Sequence, residues 1–183
     1  FSAQGGKRFY IGEKTLSALV IASSSSKYNY REGVARSSLA ANGGFGRDYE
    51  AIRYDYNSAQ SVMGNLSLEL NRNDVLSYNT ILIHNNAQRY GEYSGFAQNL
   101  SEIDGTSAYV RRQQTNDNTL LINQLLGKIQ ATDRIGLDLG AGLNIVSGNE
   151  PDRRTNTFIR DDASNTYQVA AGSAGLNHRF FSE

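Results

Sequence analysis

Two stretches of this chain alternate in hydropathy with a period of two, and that periodicity restricts the fold more than any other feature. From Tyr54 the even positions run Tyr54, Tyr56, Ser58, Gln60, Val62, Gly64, Leu66, Leu68 and Leu70, while the odd positions between them are mostly polar. Further on, Ile135, Leu137, Leu139, Ala141, Leu143 and Ile145 alternate with Gly136, Asp138, Gly140, Gly142, Asn144 and Val146. Successive strand residues point to opposite faces; an amphipathic helix needs apolar residues three and four apart, which neither stretch supplies. Both stretches are therefore strands with one apolar face. The first is long, about twenty residues from Glu50 to Leu70, against about five or six in globular sheets.

Turn signals divide the rest of the chain. Gly12-Glu13-Lys14, Asn71-Arg72-Asn73-Asp74 and Gln130-Ala131-Thr132-Asp133-Arg134 recur about 60 residues apart. Pairing Leu70 with Leu76 and Ile129 with Ile135 predicts two hairpins with five-residue loops, with Leu66 opposite Thr80 and Leu125 opposite Leu139. Between these turns lie long polar connections, roughly 31–48, 88–118 and 148–165, punctuated by Asn42-Gly43-Gly44, Asp104-Gly105 and Gly148-Asn149-Glu150-Pro151. Short turns at one rim and long loops at the other is how outer-membrane barrels are built. The longest apolar run, Ala18-Leu19-Val20-Ile21-Ala22, falls far short of the ~20 residues of a membrane-spanning helix. Tyr28 and Tyr30 end one strand and Tyr49, Tyr54 and Tyr56 begin the next. That grouping suits an aromatic belt at a membrane interface, although tyrosine also simply favours strands.

Charge and cysteine content narrow the function classes. With 18 Lys+Arg against 18 Asp+Glu, the chain lacks the basic excess of a nucleic-acid binder. Without cysteine it has no disulfide, thiolate zinc site or cysteine nucleophile. It opens Phe1-Ser2-Ala3, with no initiator Met and no basic-then-apolar leader, and so reads as a mature or excised piece.

Classical catalysis finds little here. His84 and His178 fall inside predicted strands, where a structural role is the plainer account. Ser94 in Gly91-Glu92-Tyr93-Ser94-Gly95 misses the spacing of a nucleophile elbow. Asn149, Glu150, Asp152, Asp161 and Asp162 carry the oxygen atoms calcium prefers but lack loop-type spacing, so no metal and no other cofactor is expected. The best ligand candidates lie in the connection from Gln88 to Asn118: Tyr90, Tyr93, Tyr109, Arg111 and Arg112. Aromatic faces stack on the apolar faces of sugars, while arginines reach hydroxyls and carboxylates. An ordinary solvated loop is the competing account.

Several segments carry a family likeness. Met63-Gly64-Asn65-Leu66-Ser67-Leu68, Ser77-Tyr78-Asn79, Leu121-Ile122-Asn123-Gln124-Leu125-Leu126-Gly127, Asp138-Leu139-Gly140-Ala141 and Glu150-Pro151-Asp152-Arg153-Arg154-Thr155-Asn156-Thr157-Phe158 appear in that order, after Tyr28-Asn29-Tyr30-Arg31-Glu32-Gly33. In order and spacing the chain resembles the barrel of TonB-dependent outer-membrane receptors, especially the group that takes up glycans and other nutrients. The resemblance implies a barrel of 22 strands filled by an N-terminal plug, with a TonB box that engages the energy-transducing complex. Nothing in residues 1–183 resembles plug or box. The expectation is therefore an all-β, antiparallel, up-and-down transmembrane barrel wall of about six or seven strands, a middle section of the barrel, in the cell outer membrane. Even positions from Val62 to Leu70 and odd positions from Ile135 to Ile145 would form its outer face. The implied function is import of a bulky nutrient (glycan, peptide or metal chelate), not an enzymatic one. The implied partners are outer-membrane lipid, the nutrient, and the TonB complex through the missing N-terminal region, with a surface lipoprotein as a further candidate. The alternatives are a soluble β-sandwich or adhesin-like binding module, a structural or secretion-associated outer-membrane barrel, and an outer-membrane hydrolase.

Overall fold

In the computed structural model, which describes residues 1–39, 43–98, 100, 106–170 and 176–182, every regular element is a β-strand. The order is β1 (Ser2–Ile11), β2 (Lys14–Leu39), β3 (Phe45–Glu69), β4 (Val75–Ala97), β5 (Thr106–Thr132), β6 (Ile135–Asp161), β7 (Thr166–Val169) and β8 (Leu176–Ser182). All belong to one sheet in which β1 to β7 lie side by side in chain order, so the connectivity is up-and-down. β8 pairs with β6 rather than returning to β1, and the sheet is open among the described residues. β7 pairs with β6 at Phe158–Asp161 and β8 pairs with it between Asn149 and Asn156, so the two are consecutive pieces along one edge. Before Gly12, β1 runs for 10 residues matched one to one with β2.

The tight turns fall at the expected places but are tighter. Gly12-Glu13 alone joins β1 to β2, and Gly12 has φ of +63°, the positive value that a two-residue hairpin of type II′ requires at its first central position. At the next turn the Leu70 amide donates to the Asp74 carbonyl at 2.9 Å. Asn71 Oδ1 accepts the amides of Asn73 and Asp74, each at 2.9 Å. The Asp74 carboxylate accepts the Gln130 backbone amide at 2.7 Å and the Asn71 side-chain amide at 2.6 Å, and these bonds, the first above all, hold its pKa below the ordinary carboxylate range. Only Asp133-Arg134 separates β5 from β6, and Thr132 Oγ1 accepts the Ile135 amide at 3.1 Å. The expected five-residue loops are thus corrected, because side-chain-to-backbone bonds close the turns sooner.

Register moves with them. Asn65 donates to Asn79 at 2.6 Å, Ser77 to Ser67 at 3.1 Å, and Gly64 rather than Leu66 lies beside Thr80. Leu139 lies across from Gly127, its Cβ 3.8 Å from where a Cβ at that glycine would be, rather than across from Leu125. A slip of two residues leaves every side chain on its own face; a slip of one would invert them all.

The long polar connections are the larger correction. Most of 31–48, 88–118 and 148–165 is strand: β2 to β6 run for 26, 25, 23, 27 and 27 residues. Polar residues dominate both faces of these added stretches and the apolar ones are small or scattered, so their backbone alternation leaves little trace in hydropathy. Of the turn signals assigned there, Asn42 and Asp104-Gly105 lie outside the described residues. Pro151 sits inside β6, where it has no amide hydrogen to donate, and the β6–β8 register shifts between Glu150 and Arg153. Gln113 and Gln114 point to opposite faces of β5; Gln113 donates to Asp152 at 3.0 Å and Gln114 to Glu150 at 2.8 Å. Glu150 and Asp152, two residues apart, therefore lie on opposite faces. A β-bulge at Pro151 breaks the alternation.

The chain divides into two compact units. The first comprises 1–26, 58–85 and 118–148, the stretches beside the tight turns; the second comprises 27–57, 86–117 and 149–183. In the first unit no side chain is buried. The Tyr78 and Thr80 hydroxyls donate to Asn123 Oδ1 at 2.7 and 3.0 Å, and the Gly127 position lies within 4 Å of both Leu76 and Leu139. These contacts put even positions of β3 and β4 and odd positions of β5 and β6 on one face. Its apolar side chains are open: Leu66 is 48% exposed, Leu139 55% and Leu143 61%. The other face pairs hydroxyls and amides, Ser23 with Ser61 at 2.8 Å besides the Asn65–Asn79 and Ser67–Ser77 pairs.

The second unit holds a small core of Tyr49, Ala97, Ala108 and Val110, with Ala35, Tyr93 and Leu100 packed against it. Four of the five tyrosines expected to cluster do so, joined by Tyr90: ring centres lie 4.4 Å apart for Tyr28 and Tyr56, 5.3 Å for Tyr30 and Tyr54, and 6.2 Å for Tyr54 and Tyr90. Tyr49 is the exception. Its odd position in β3 turns it to the other face, toward Tyr93 at 6.2 Å. Gly95 serves this core with a φ of +145°, and a Cβ there would collide with the Asp48 carbonyl and stand 3.2 Å from the Tyr49 Cα.

Gly95→Ala should therefore cost about 2–4 kcal/mol, combining backbone strain with overpacking against main chain that cannot retreat. Gly33→Ala, where a Cβ meets nothing within 4 Å, is the matched control and should be neutral or slightly stabilising. Denaturant midpoints of the two variants compare them directly; equal midpoints would contradict the close approach at Gly95.

Candidate functional site

The five expected ligand-binding residues do not lie on a long loop. Tyr90 and Tyr93 belong to β4, and Tyr109, Arg111 and Arg112 to β5, because the polar stretch continues the strand ladder. Strand alternation then divides them between two faces. On one face the Tyr90 hydroxyl donates to the Glu92 carboxylate, and Arg111 Nε donates to the Tyr109 hydroxyl oxygen at 3.0 Å. The Arg111 guanidinium also stands 3.7 Å from Glu92 and 5.3 Å from the centre of the Tyr109 ring. Burial, then the bond to Glu92, push the Tyr90 hydroxyl up to about 12, so it stays a neutral donor at physiological pH. Tyr109 packs edge-on to Tyr167 at 5.5 Å, which further fixes this cluster.

On the opposite face the Arg112 guanidinium lies 5.3 Å from the centre of the Tyr93 ring. The Tyr93 ring folds back over Gly91, where an added Cβ would come within 2.9 Å of it. Around this pair the strands gather residues far apart in sequence. Arg53, Arg89, Tyr93, Arg112, Gln114 and Arg153 line a cavity of about 440 Å³. Asp55 accepts Arg89 Nε at 2.7 Å and Arg53 Nε at 3.1 Å, and its side chain is only 8% exposed. Glu150 accepts Arg153 Nε at 2.7 Å and Gln114 at 2.8 Å. Sequence reasoning misses Arg53, Arg89, Gln114 and Arg153, since each is unremarkable alone and their meeting depends on register across β3 to β6. The odd positions 89, 91 and 93 were a visible signal on β4; the partners on its two neighbours were not.

The carboxylates weighed for calcium are otherwise engaged. Glu150 and Asp152 lie on opposite faces with Arg153 and Arg154 at 2.7 and 2.8 Å, and Asp161 accepts the amides of Ala163 and Ser164 at 2.9 and 3.1 Å. Among the described residues no three His, Asp or Glu side chains come together as metal ligands would. What the second face presents is guanidinium donors beside an aromatic ring. Such forks take planar carboxylates or phosphates in bidentate fashion, and the ring adds a stacking surface. No family model matches this chain, and no curated protein matches it.

Burial pushes the Asp55 carboxyl up, but the Arg89 hydrogen bond and the charges of Arg53, Arg89 and Arg31 outweigh it and hold the pKa below the ordinary range. A carboxyl lowered in the folded state stabilises above the unfolded pKa of about 3.9, and that contribution is lost as pH falls through the lower, folded value. Asp55→Asn should therefore cost about 1–3 kcal/mol at pH 7, with much of Arg89 solvated and the penalty at the low end for a buried pair. Denaturant midpoints of the two proteins should converge as pH is lowered below about 4. A gap that persists unchanged through that range would remove the ion pairs as its cause.

Proposed function

We propose that this chain is a stretch of the wall of an outer-membrane β-barrel of the TonB-dependent receptor type, part of an active importer for a bulky nutrient rather than an enzyme. One observation carries the reading: the first unit has no buried side chain, while most of its exposed leucines share one face. A fully buried Leu contributes roughly 1.5–3 kcal/mol over an exposed one. Val62, Leu66, Leu70, Leu76, Leu82, Leu125, Leu137, Leu139 and Leu143 are all more than a third exposed. Left half in water, they forgo roughly 10 kcal/mol, as much as the whole net stability of an ordinary domain. Acyl chains against that face remove the deficit.

Other features support the same reading. The strands are antiparallel, up-and-down and joined by two- and three-residue turns beside the apolar stretches. At 23 to 27 residues, β2 to β6 exceed the ~9–11 needed to cross a bilayer, leaving polar stretches to extend beyond it. The band of exposed Tyr28, Tyr30 and Tyr54 with half-buried Tyr56 suits headgroup depth, where phenol hydroxyls reach water. In lipid every backbone group needs a partner, so an open sheet calls for further strands to close it. A soluble sandwich or adhesin needs a second sheet over the leucines, and all strands of the described residues lie in one sheet. The order of the segments that resemble TonB-dependent receptors favours that class over structural or secretion barrels. Energy would then arrive through a TonB box in the N-terminal region that such receptors carry.

Fractionation of cells expressing the full-length gene product tests location, and the full-length sequence tests for plug and box. The expected product is an outer-membrane protein whose gel mobility changes on boiling, with both elements present; a freely soluble product would sink the proposal. A paired substitution tests the faces. Leu139, about five residues from its tight turn, should sit near mid-bilayer facing lipid, and Asp138 should face the lumen. In the complete receptor refolded into vesicles, Leu139→Arg should cost about 2–4 kcal/mol and Asp138→Asn little. Equal losses would mean the apolar face does not meet lipid.

A further inference from the structure

We infer that the arginine-lined cavity of the second unit is a binding site for a small organic polyanion, one carrying two or more carboxylates. The inference names the ligand class of the importer proposed above, yet its test is binding alone and stands whether or not the sheet meets lipid.

Charge balance is the first ground. Arg53, Arg89, Arg112, Arg153 and Arg154 line the cavity. The carboxylates that pair with them are Asp55, shared by Arg53 and Arg89, Glu150, held by Arg153, and Asp152, held by Arg154. Arg112 forms no ion pair among the described residues and stacks on Tyr93 instead. Two positive charges are left without a counterpart, in a chain whose formal net charge is zero. The layering is the second ground. The Asp55 and Glu150 side chains are 8% and 13% exposed, whereas those of Arg89 and Arg153 are 57% and 42% exposed. Anions lie beneath and cations open outward, so the buried carboxylates hold the arginines in place and leave their outer edges to a ligand.

Shape is the third ground. Gly91 lets the Tyr93 ring lie flat along β4, and that ring is the shelf on which Arg112 rests. A guanidinium stacked on an aromatic face is positioned before any ligand arrives, so less rotamer freedom is lost on binding. The cavity, about 440 Å³, is the size that takes a small organic molecule. Gln114, already bonded to Glu150, adds amide polarity at the wall. An excess of two positive charges around such a space suits two carboxylates on one molecule better than a single inorganic ion.

Titration calorimetry on the full-length protein purified in detergent micelles tests this, with citrate as the probe, sorbitol as a neutral polyol and sulfate as an inorganic ion. Citrate should bind, sorbitol should not, and sulfate should bind more weakly. Citrate affinity should fall as NaCl rises from about 20 to about 200 mM, because the site is partly solvated. Arg112→Ala breaks no ion pair and should lower citrate affinity about tenfold or more, with Arg112→Lys keeping part of it. Arg36→Ala, which removes an equal charge elsewhere in the second unit, should change it less than about twofold and controls for bulk electrostatics. No citrate binding at low salt, equal binding of sorbitol or sulfate, or equal effects of the Arg112 and Arg36 substitutions would each overturn the inference. So would a single-stranded oligonucleotide binding more tightly than citrate. Retained binding in a protein that fractionates as soluble would keep this site and dismiss the barrel, so the two failures are distinguishable.

Discussion

A β-strand carries two rows of side chains, and each row must meet a medium that suits it. Most of this molecule follows from that requirement. With no helix among the described residues and only one sheet, no other layer of the described protein covers either row. In the first unit one row pairs hydroxyls and amides, as at Ser23–Ser61 and Asn65–Asn79, and the other is an open field of leucines. The two rows call for different surroundings, a polar one on one side and an apolar one on the other. Turns such as Asn71–Asp74 matter chiefly because they lock the register that keeps the rows from exchanging.

That same division explains which parts of the fold were legible in the residues. Where one row is apolar, as at Leu66, Leu137 and Leu139, alternation is plain and the face assignments follow, even though the predicted pairing of Leu125 with Leu139 was displaced by two residues. Where both rows are polar, as from Arg31 to Leu39 or Arg89 to Ala97, strand and loop look alike in hydropathy, and the strands were cut short. Tyr49 shows a subtler failure. Counting tyrosines grouped it with Tyr54 and Tyr56, while its odd position sent it across the sheet into the core with Ala108 and Val110. At the candidate site the five residues named from sequence lie on β4 and β5 and divide between two faces. Tyr93 and Arg112 belong with Arg53, Arg89 and Arg153, a meeting of four strands that only register reveals.

Electrostatically, the neutral composition conceals a local separation. Asp55 and Glu150 are tucked under the arginines they hold, so the exposed layer over that part of the second unit is cationic although the whole chain balances. Glu92 plays a comparable part on the other face, organising Tyr90 and Arg111 around one carboxylate. In both clusters an acid acts as the anchor and the longer side chains are what a visitor would meet.

The bulge at Pro151 has a consequence for how β6 is read. On either side of it the strand uses opposite phases of the same two-letter code, so one residue count serves Ile135 to Glu150 and its complement serves Asp152 onward. Deleting the extra residue would restore an unbroken rhythm and keep the facings of Asp152 and Arg153, whereas flattening the bulge with every residue retained would exchange them, carrying the cation away from the cavity and the acid into it. Adding or removing a pair of residues would leave the facings untouched. For this strand the place of a one-residue change therefore weighs as much as its parity, and the single proline marks where the count is reset.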